Sequence, residues 1–166
     1  MLILGVDPGT ATVGYGLIAV LPRKPVQFVA AGSIITAKGL PLSQRLKEIH
    51  FDLSALIAEY RPTEMAVEEL FFVRNITTGI QVAMARGVIC LAGAQAGLEV
   101  AGYTPMVVKQ SVTGHGRSDK RAVQEAIREL LNLETIPRPD DAADALAIAL
   151  CHFYQQEATM AMSCSG

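Results

Sequence analysis

Four carboxylates stand out by where they fall in the chain. Asp7 closes a short apolar run, LILGVD (2–7), and no Asp or Glu follows it until Glu48. Glu68 sits in a second such run, EMAVEEL (64–70), and Asp141 and Asp144 lie three apart within PRPDDAADALAIALCHFY. Residues three apart on a helix share a face. Carboxylates gathered from separate elements repel one another and cost stability, and a cation relieves that cost. Hard oxygen ligands with positions left open suit Mg²⁺ or Mn²⁺ engaged with a phosphate group. Taken singly, each acid has a plainer role. Asp141 near a helix N-terminus favours the dipole, Glu68 could mark an exposed strand edge, and Asp7 before Pro8-Gly9 could form a turn.

A basic stretch lies close by in sequence. From Lys109 to Arg128 the bases Lys109, Arg117, Lys120, Arg121 and Arg128 face only Asp119 and Glu125, a local charge of +3. Such residues contact phosphate oxygens and position a nucleic-acid strand, and Gly114-His115-Gly116 would let a backbone approach that strand closely. Arg121 and Arg128 equally suit a solvated helix face. Phe71 and Phe72 follow the Glu68 run into a loop, Val73-Arg74-Asn75. An exposed aromatic beside an active site can stack on an unpaired base, and Arg74 is a candidate phosphate contact, although Phe72 suits a core equally well. His115 reads as a loop residue, and His50 and His152 as structural.

The elements that must position these residues follow from pattern. LILGVD, VGYGLIAV (13–20) and VQFVAAGSIIT (26–36) predict an antiparallel three-strand meander. Leu42, Leu46, Ile49, Leu53, Leu56 and Ile57 recur at helical spacing, giving an amphipathic helix from Leu42 to Tyr60 that Arg61-Pro62 ends. EMAVEEL is the fourth strand. A nearly uncharged Ala/Gly-rich helix from Thr78 to Gly97 reads as buried, with Val82–Ala96 the candidate contact to a second subunit. VAGYTPM (100–106) is the fifth strand, and VVKQSVTG a short helix. A further helix spans Asp119 to Asn132 with Ser118 as N-cap, and the last starts near Asp140. The expectation is an α/β fold, a five-stranded mixed sheet flanked by helices in one domain over 1–156, with 157–166 a disordered tail.

Composition bounds the function. With 166 residues, 51% apolar and 18% charged, the chain can bury one real core. It lacks an uninterrupted run of about 18 apolar residues, so no membrane span is expected, and Asp7 sits where a secretory leader would be apolar. Cys90, Cys151 and Cys164 are odd in number and without ligand spacing, which fits a reducing, cytoplasmic setting. The net charge of −2 speaks mildly against nucleic acid. Setting the four clustered acids aside reverses the sign, leaving 14 bases against 12 acids, or +2.

In order along the chain, Asp7-Pro8-Gly9 with Gly14-Tyr15-Gly16, Ala66-Val67-Glu68-Glu69, Ala85-Arg86-Gly87, Val108-Lys109-Gln110 and the Asp141-Ala142-Ala143-Asp144-Ala145-Leu146-Ala147 block resemble the RuvC family of bacterial Holliday-junction resolvases. The first turn is unspecific; the last block behind Val-Lys-Gln is specific. The resemblance implies a ribonuclease-H-like fold, a homodimer, and paired metal-dependent nicks in four-way junction DNA that leave 5′-phosphate and 3′-hydroxyl ends. It implies cooperation with the RuvA-RuvB branch-migration complex. It places the catalytic acids on Asp7, Glu68, Asp141 and Asp144, the basic residues needed for cleavage on Lys109 and Lys120, and the junction-stacking aromatic on Phe71. Two Mg²⁺ ions, with Mn²⁺ able to substitute, would lie about 3.5–4 Å apart, one activating water and one at the leaving oxygen. Asp7 is expected to bridge them, Glu68 and Asp144 to hold one each, and Asp141 to complete the shell. Asp140 adds a fifth acid; its neighbour Asp141 is preferred as ligand for its three-residue spacing to Asp144, and some relatives carry His there. Competing expectations are a non-catalytic junction binder of the same fold, an actin-like ATPase fragment suggested by Asp7-Pro8-Gly9-Thr10, and a nuclease without junction preference.

Overall fold

The structure, a computed structural model, describes residues 1–70 and 76–163. Five strands, β1 (Leu2–Asp7), β2 (Thr12–Ala19), β3 (Gln27–Ile35), β4 (Glu64–Glu68) and β5 (Val100–Tyr103), form one sheet in the order β3-β2-β1-β4-β5. The first three pair antiparallel as the meander pattern predicts, and β4 and β5 add parallel to β1. Helices α1 (Leu42–Tyr60) and α2 (Ile76–Gln95) cover one face. Helices α3 (Pro105–Thr113), α4 (Lys120–Leu130) and α5 (Asp140–Ser163) cover the other.

Strand alternation divides the core in two. Leu4, Val6, Val13 and Leu17 point toward α1 and α2, where Ile49, Leu53, Ala85 and Ile89 meet them. Ile3, Ile18 and Ala66 point the other way, toward Leu146, Ile148 and Leu150 of α5. Each such fully buried aliphatic side chain contributes about 1.5–3 kcal/mol of transfer free energy.

Helix α5 lies unusually close to the sheet because β1 and β2 present glycines beneath it. A Cβ on Gly5 would strike the Ala145 carbonyl and come within 2.6 Å of the Ala149 amide nitrogen, and one on Gly14 would strike the Asp141 carbonyl. Small residues on α5 complete the fit: Ala142, Ala143, Ala145 and Ala149 are all buried. The register pairs Asp7 with Gly14, so the acid ending β1 stands beside the strand position over which Asp141 passes.

Three local expectations are revised. Helix α4 is capped by Asp119, whose Oδ1 accepts from the Ala122 amide at 2.8 Å, while the Ser118 hydroxyl turns to the His115 carbonyl. β5 ends at Tyr103 because Thr104 caps α3 and Pro105 occupies its first turn, where a missing N–H costs nothing. Helix α5 continues through Ser163, past the boundary expected at 156, since its Gln, Glu, Ala and Met residues are good helix formers and no breaker intervenes.

Helix α2 packs one side inward through Gly79, Ala85, Ile89, Ala92 and Gly93. Its other side is open: Ile76, Ile80, Met84 and Leu91 are exposed, Ile76 at 76%. The helix is long and apolar enough to cross a membrane by length and composition; its inward face nonetheless seats on the sheet. The burial expected all round is therefore half realised.

Gly14→Ala tests the glycine contact. The added methyl must push α5 off β2, so the chemical-denaturation midpoint should drop by the equivalent of about 1–3 kcal/mol. An unchanged midpoint would show that α5 sits there for other reasons.

Candidate active site

Three elements deliver the acids. β1 and β4 run parallel with Val6 opposite Val67, so their ends bring Asp7 and Glu68 side by side at the same sheet edge. The glycine seat lays the first turns of α5 across that edge. Carboxylate oxygens of Asp7, Asp141 and Asp144 lie within 4.8 Å of one another. Asp7, Glu68 and Asp144 line a cleft of about 210 Å³ together with Lys109 of α3 and Lys120 of α4. Pro105, Val108, Val123 and Ala147 supply its apolar wall.

This setting raises the proton affinity of Asp7, Glu68 and Asp144. The Asp7 carboxyl is pushed up to about 8, chiefly by burial and then by the charges of Glu68, Asp144 and Asp141, with Lys120 pulling the other way. Glu68 is raised to about 7 by burial and by Asp144, against Lys109. Asp144 is raised by burial, although Lys120 lowers it. Burial lowers the Lys120 ammonium, yet Asp144 and Asp140 outweigh it, and the net shift is upward. Clustered all-oxygen donors, partly buried and mutually repelling, fit a hard divalent cation.

The basic residues divide. Lys109 lines the cleft. Lys120 Nζ reaches Asp144 Oδ2 at 3.4 Å and Asp140 Oδ2 at 3.3 Å. Arg121 pairs instead with Glu125 one turn on, at 3.0 Å, as a solvated helix face would. Arg117 is exposed in the turn before α4. Phe71, Phe72 and Arg74 lie outside the described residues. His50 bonds Gln95 at 2.8 Å, and the buried His152 bridges the Tyr103 hydroxyl and Glu64 at 2.8 and 2.7 Å. Both therefore serve packing between elements, away from the acids.

Two contacts went unread in the sequence. Arg86 donates from Nε to the Glu68 carbonyl at 3.1 Å, anchoring the end of β4 to α2; the signal was there, as the lone charge in an apolar helix. Asp140 turns away from the acid cluster toward α4, a direction that spacing along α5 does not specify.

Against known proteins, the model of the family "Crossover junction endodeoxyribonuclease RuvC" matches residues 3–152. The RuvC of Heliobacterium modesticaldum is 55% identical over 151 residues, 91% of this chain and 93% of its own length. This chain belongs to the RuvC family. The RuvC of Rubrobacter xylanophilus is 50% identical, covering 96% of this chain and 89% of its own. Among solved structures, Thermus thermophilus RuvC in complex with Holliday junction substrate superposes with a TM-score of 0.88 at 36% identity, over 94% of each chain. The ribonuclease-H-like architecture is thus that of the RuvC proteins.

The raised carboxyls set a pH dependence. From the ordinary values of 3.8 and 4.5 up to about 8 and 7, the folded chain holds protons on Asp7 and Glu68 that the unfolded chain has released. Stability of the metal-free protein therefore falls as pH rises through that window. Its thermal midpoint should drop between about pH 5 and about pH 8, less steeply in Asp7→Asn, and added Mg²⁺ should recover most at the upper end. A slope untouched by Asp7→Asn would refute the assignment.

Proposed function

We propose that this chain resolves four-way (Holliday) DNA junctions in recombination and repair, by symmetric paired nicks that leave 5′-phosphate and 3′-hydroxyl ends. The observation that carries the reading is the convergence of Asp7, Glu68, Asp144, Lys109 and Lys120 on one cleft in a chain of the RuvC family. Asp7, Glu68, Asp141 and Asp144 would hold two Mg²⁺ ions, for which Mn²⁺ can substitute, supplying charge neutralisation at the phosphate and an acidified water. The remaining tasks fall to the protein's own side chains. Lys109 and Lys120 bind oxygens of the scissile phosphate or its neighbours. The apolar wall of Val108, Val123 and Ala147 limits bulk water at the acids and strengthens the fields of those lysines. Arg117, Arg121 and Arg74 lie along the DNA backbone, Arg121 exchanging its surface partner Glu125 for phosphate. Phe71 stacks at the junction centre, as the family resemblance implies.

A two-fold junction calls for a two-fold enzyme, each subunit offering one site to one of two equivalent strands. The open apolar side of α2, with Ile76, Ile80, Met84 and Leu91, is the surface we assign to that homodimer. Family membership supports partnership with the RuvA-RuvB complex and a place in the bacterial cytoplasm.

Two variants test this reading. Asp7→Asn should retain junction binding while cleavage with Mg²⁺ falls more than about a hundredfold, beyond what residues one layer further out contribute. Retained cleavage would remove Asp7 from the catalytic acids, whereas a wild-type chain that binds junctions with Mg²⁺ and leaves them uncut would favour a non-catalytic junction-binding protein. Ile80→Glu should convert the dimer to monomer in light scattering, with paired nicking lost; a dimer that persists moves the interface elsewhere.

A further inference from the structure

The contacts of Lys120 point to a role for Asp140. On α4, Lys120 and Gln124 are one turn apart, and on α5 so are Asp140 and Asp144, so both pairs face each other across the helix contact. Lys120 Nζ lies between the two carboxylates, 3.3 Å from Asp140 and 3.4 Å from Asp144. Gln124 Nε2 donates to the other oxygen of Asp140 at 3.1 Å, which fixes that carboxylate's plane toward the lysine. Asp140 does not belong to the group formed by Asp7, Asp141 and Asp144. Asp144 is therefore shared between that group and Lys120, whereas Asp140 engages Lys120 and Gln124 from outside it.

We propose that Asp140 is a positioning residue, keeping the Lys120 ammonium at the mouth of the acidic cleft when Asp144 is engaged by a cation. The proposal rests on the nuclease reading for its consequence, though not for its geometry. Without Asp140, Lys120 has Asp144 as its remaining acidic partner: it either stays there and competes with the cation or swings into solvent, away from the phosphate. Asp140 gives it a resting place one turn back along α5, still within reach of the cleft. Because both groups of the pair are half-exposed, the effect is a modest one.

The experiment is a double-mutant cycle of Asp140→Asn and Lys120→Ala, read two ways on the full chain. Calorimetric titration with Mn²⁺ alone, without DNA, should show weaker binding by about threefold in Asp140→Asn, and no further change when the substitution is made in Lys120→Ala. The single-turnover cleavage rate of saturated junction should fall about threefold to fivefold in Asp140→Asn, recover in Asp140→Glu, and show the same coupling to Lys120. Gln124→Leu, which leaves every charge in place, should shift both readouts in the same direction by less. A loss of equal size in both backgrounds would mean that Asp140 acts through its charge on the site directly, and would overturn the proposal. So would an unchanged or faster Asp140→Asn enzyme. A wild-type protein that leaves junctions uncut refutes the nuclease reading alone, and the Mn²⁺ cycle still decides the coupling.

Discussion

The site depends on how closely one helix can lie on a sheet. Helix α5 carries two of the clustered acids, and its backbone passes directly over Gly5 and Gly14, where any side chain would meet a carbonyl or amide. Because those positions have no Cβ, and because α5 answers with alanines, the helix axis comes near enough for Asp141 and Asp144 to reach the end of β1. The same fit buries Leu146, Ile148 and Leu150 completely. Packing of Leu146, Ile148 and Leu150 thus holds in place the preceding turns of α5, which electrostatics would drive away.

That opposition is the physical character of the cleft. Gathering carboxylates beside Pro105, Val108 and Ala147 removes water from groups that want it, and the chain responds by retaining protons on Asp7 and Glu68. Lysines from two helices offset part of the repulsion. They come from the other side of the cleft, on α3 and α4, whose first turns are capped by Thr104 and Asp119. A site so balanced is unfavourable by itself and complementary to added positive charge, which is what binding a phosphate backbone through cations demands.

Much of this was legible in the residues themselves. The strand meander, the amphipathic period of α1 and the acids at element ends needed only local pattern. The net charge of −2 looked unfavourable for DNA until four acids were set apart from the rest. What pattern missed has physical reasons. Ser118 and Asp119 are both good N-caps, and the choice between them turns on where the chain leaves the α3 turn, where the Ser118 hydroxyl is taken by His115. The outer face of α2 is as apolar as its inner face, so periodicity could not say which half stays open. Arg121 and Lys120 are neighbours in sequence with opposite fates, one paired along its own helix and one reaching across to another.

The sequence by itself determined the α/β class and the order of elements, because these rest on short-range periodicity, and its resemblance to the RuvC family implied the ribonuclease-H-like fold and named the candidate acids. Only the tertiary structure decided which oxygens meet. Asp140 and Asp141 are adjacent and chemically identical, yet successive helical residues point about 100° apart. One therefore joins Asp7 and Asp144, and the other faces Lys120 and Gln124 of α4. Spacing along one helix cannot express that division, since it depends on where a second helix lies.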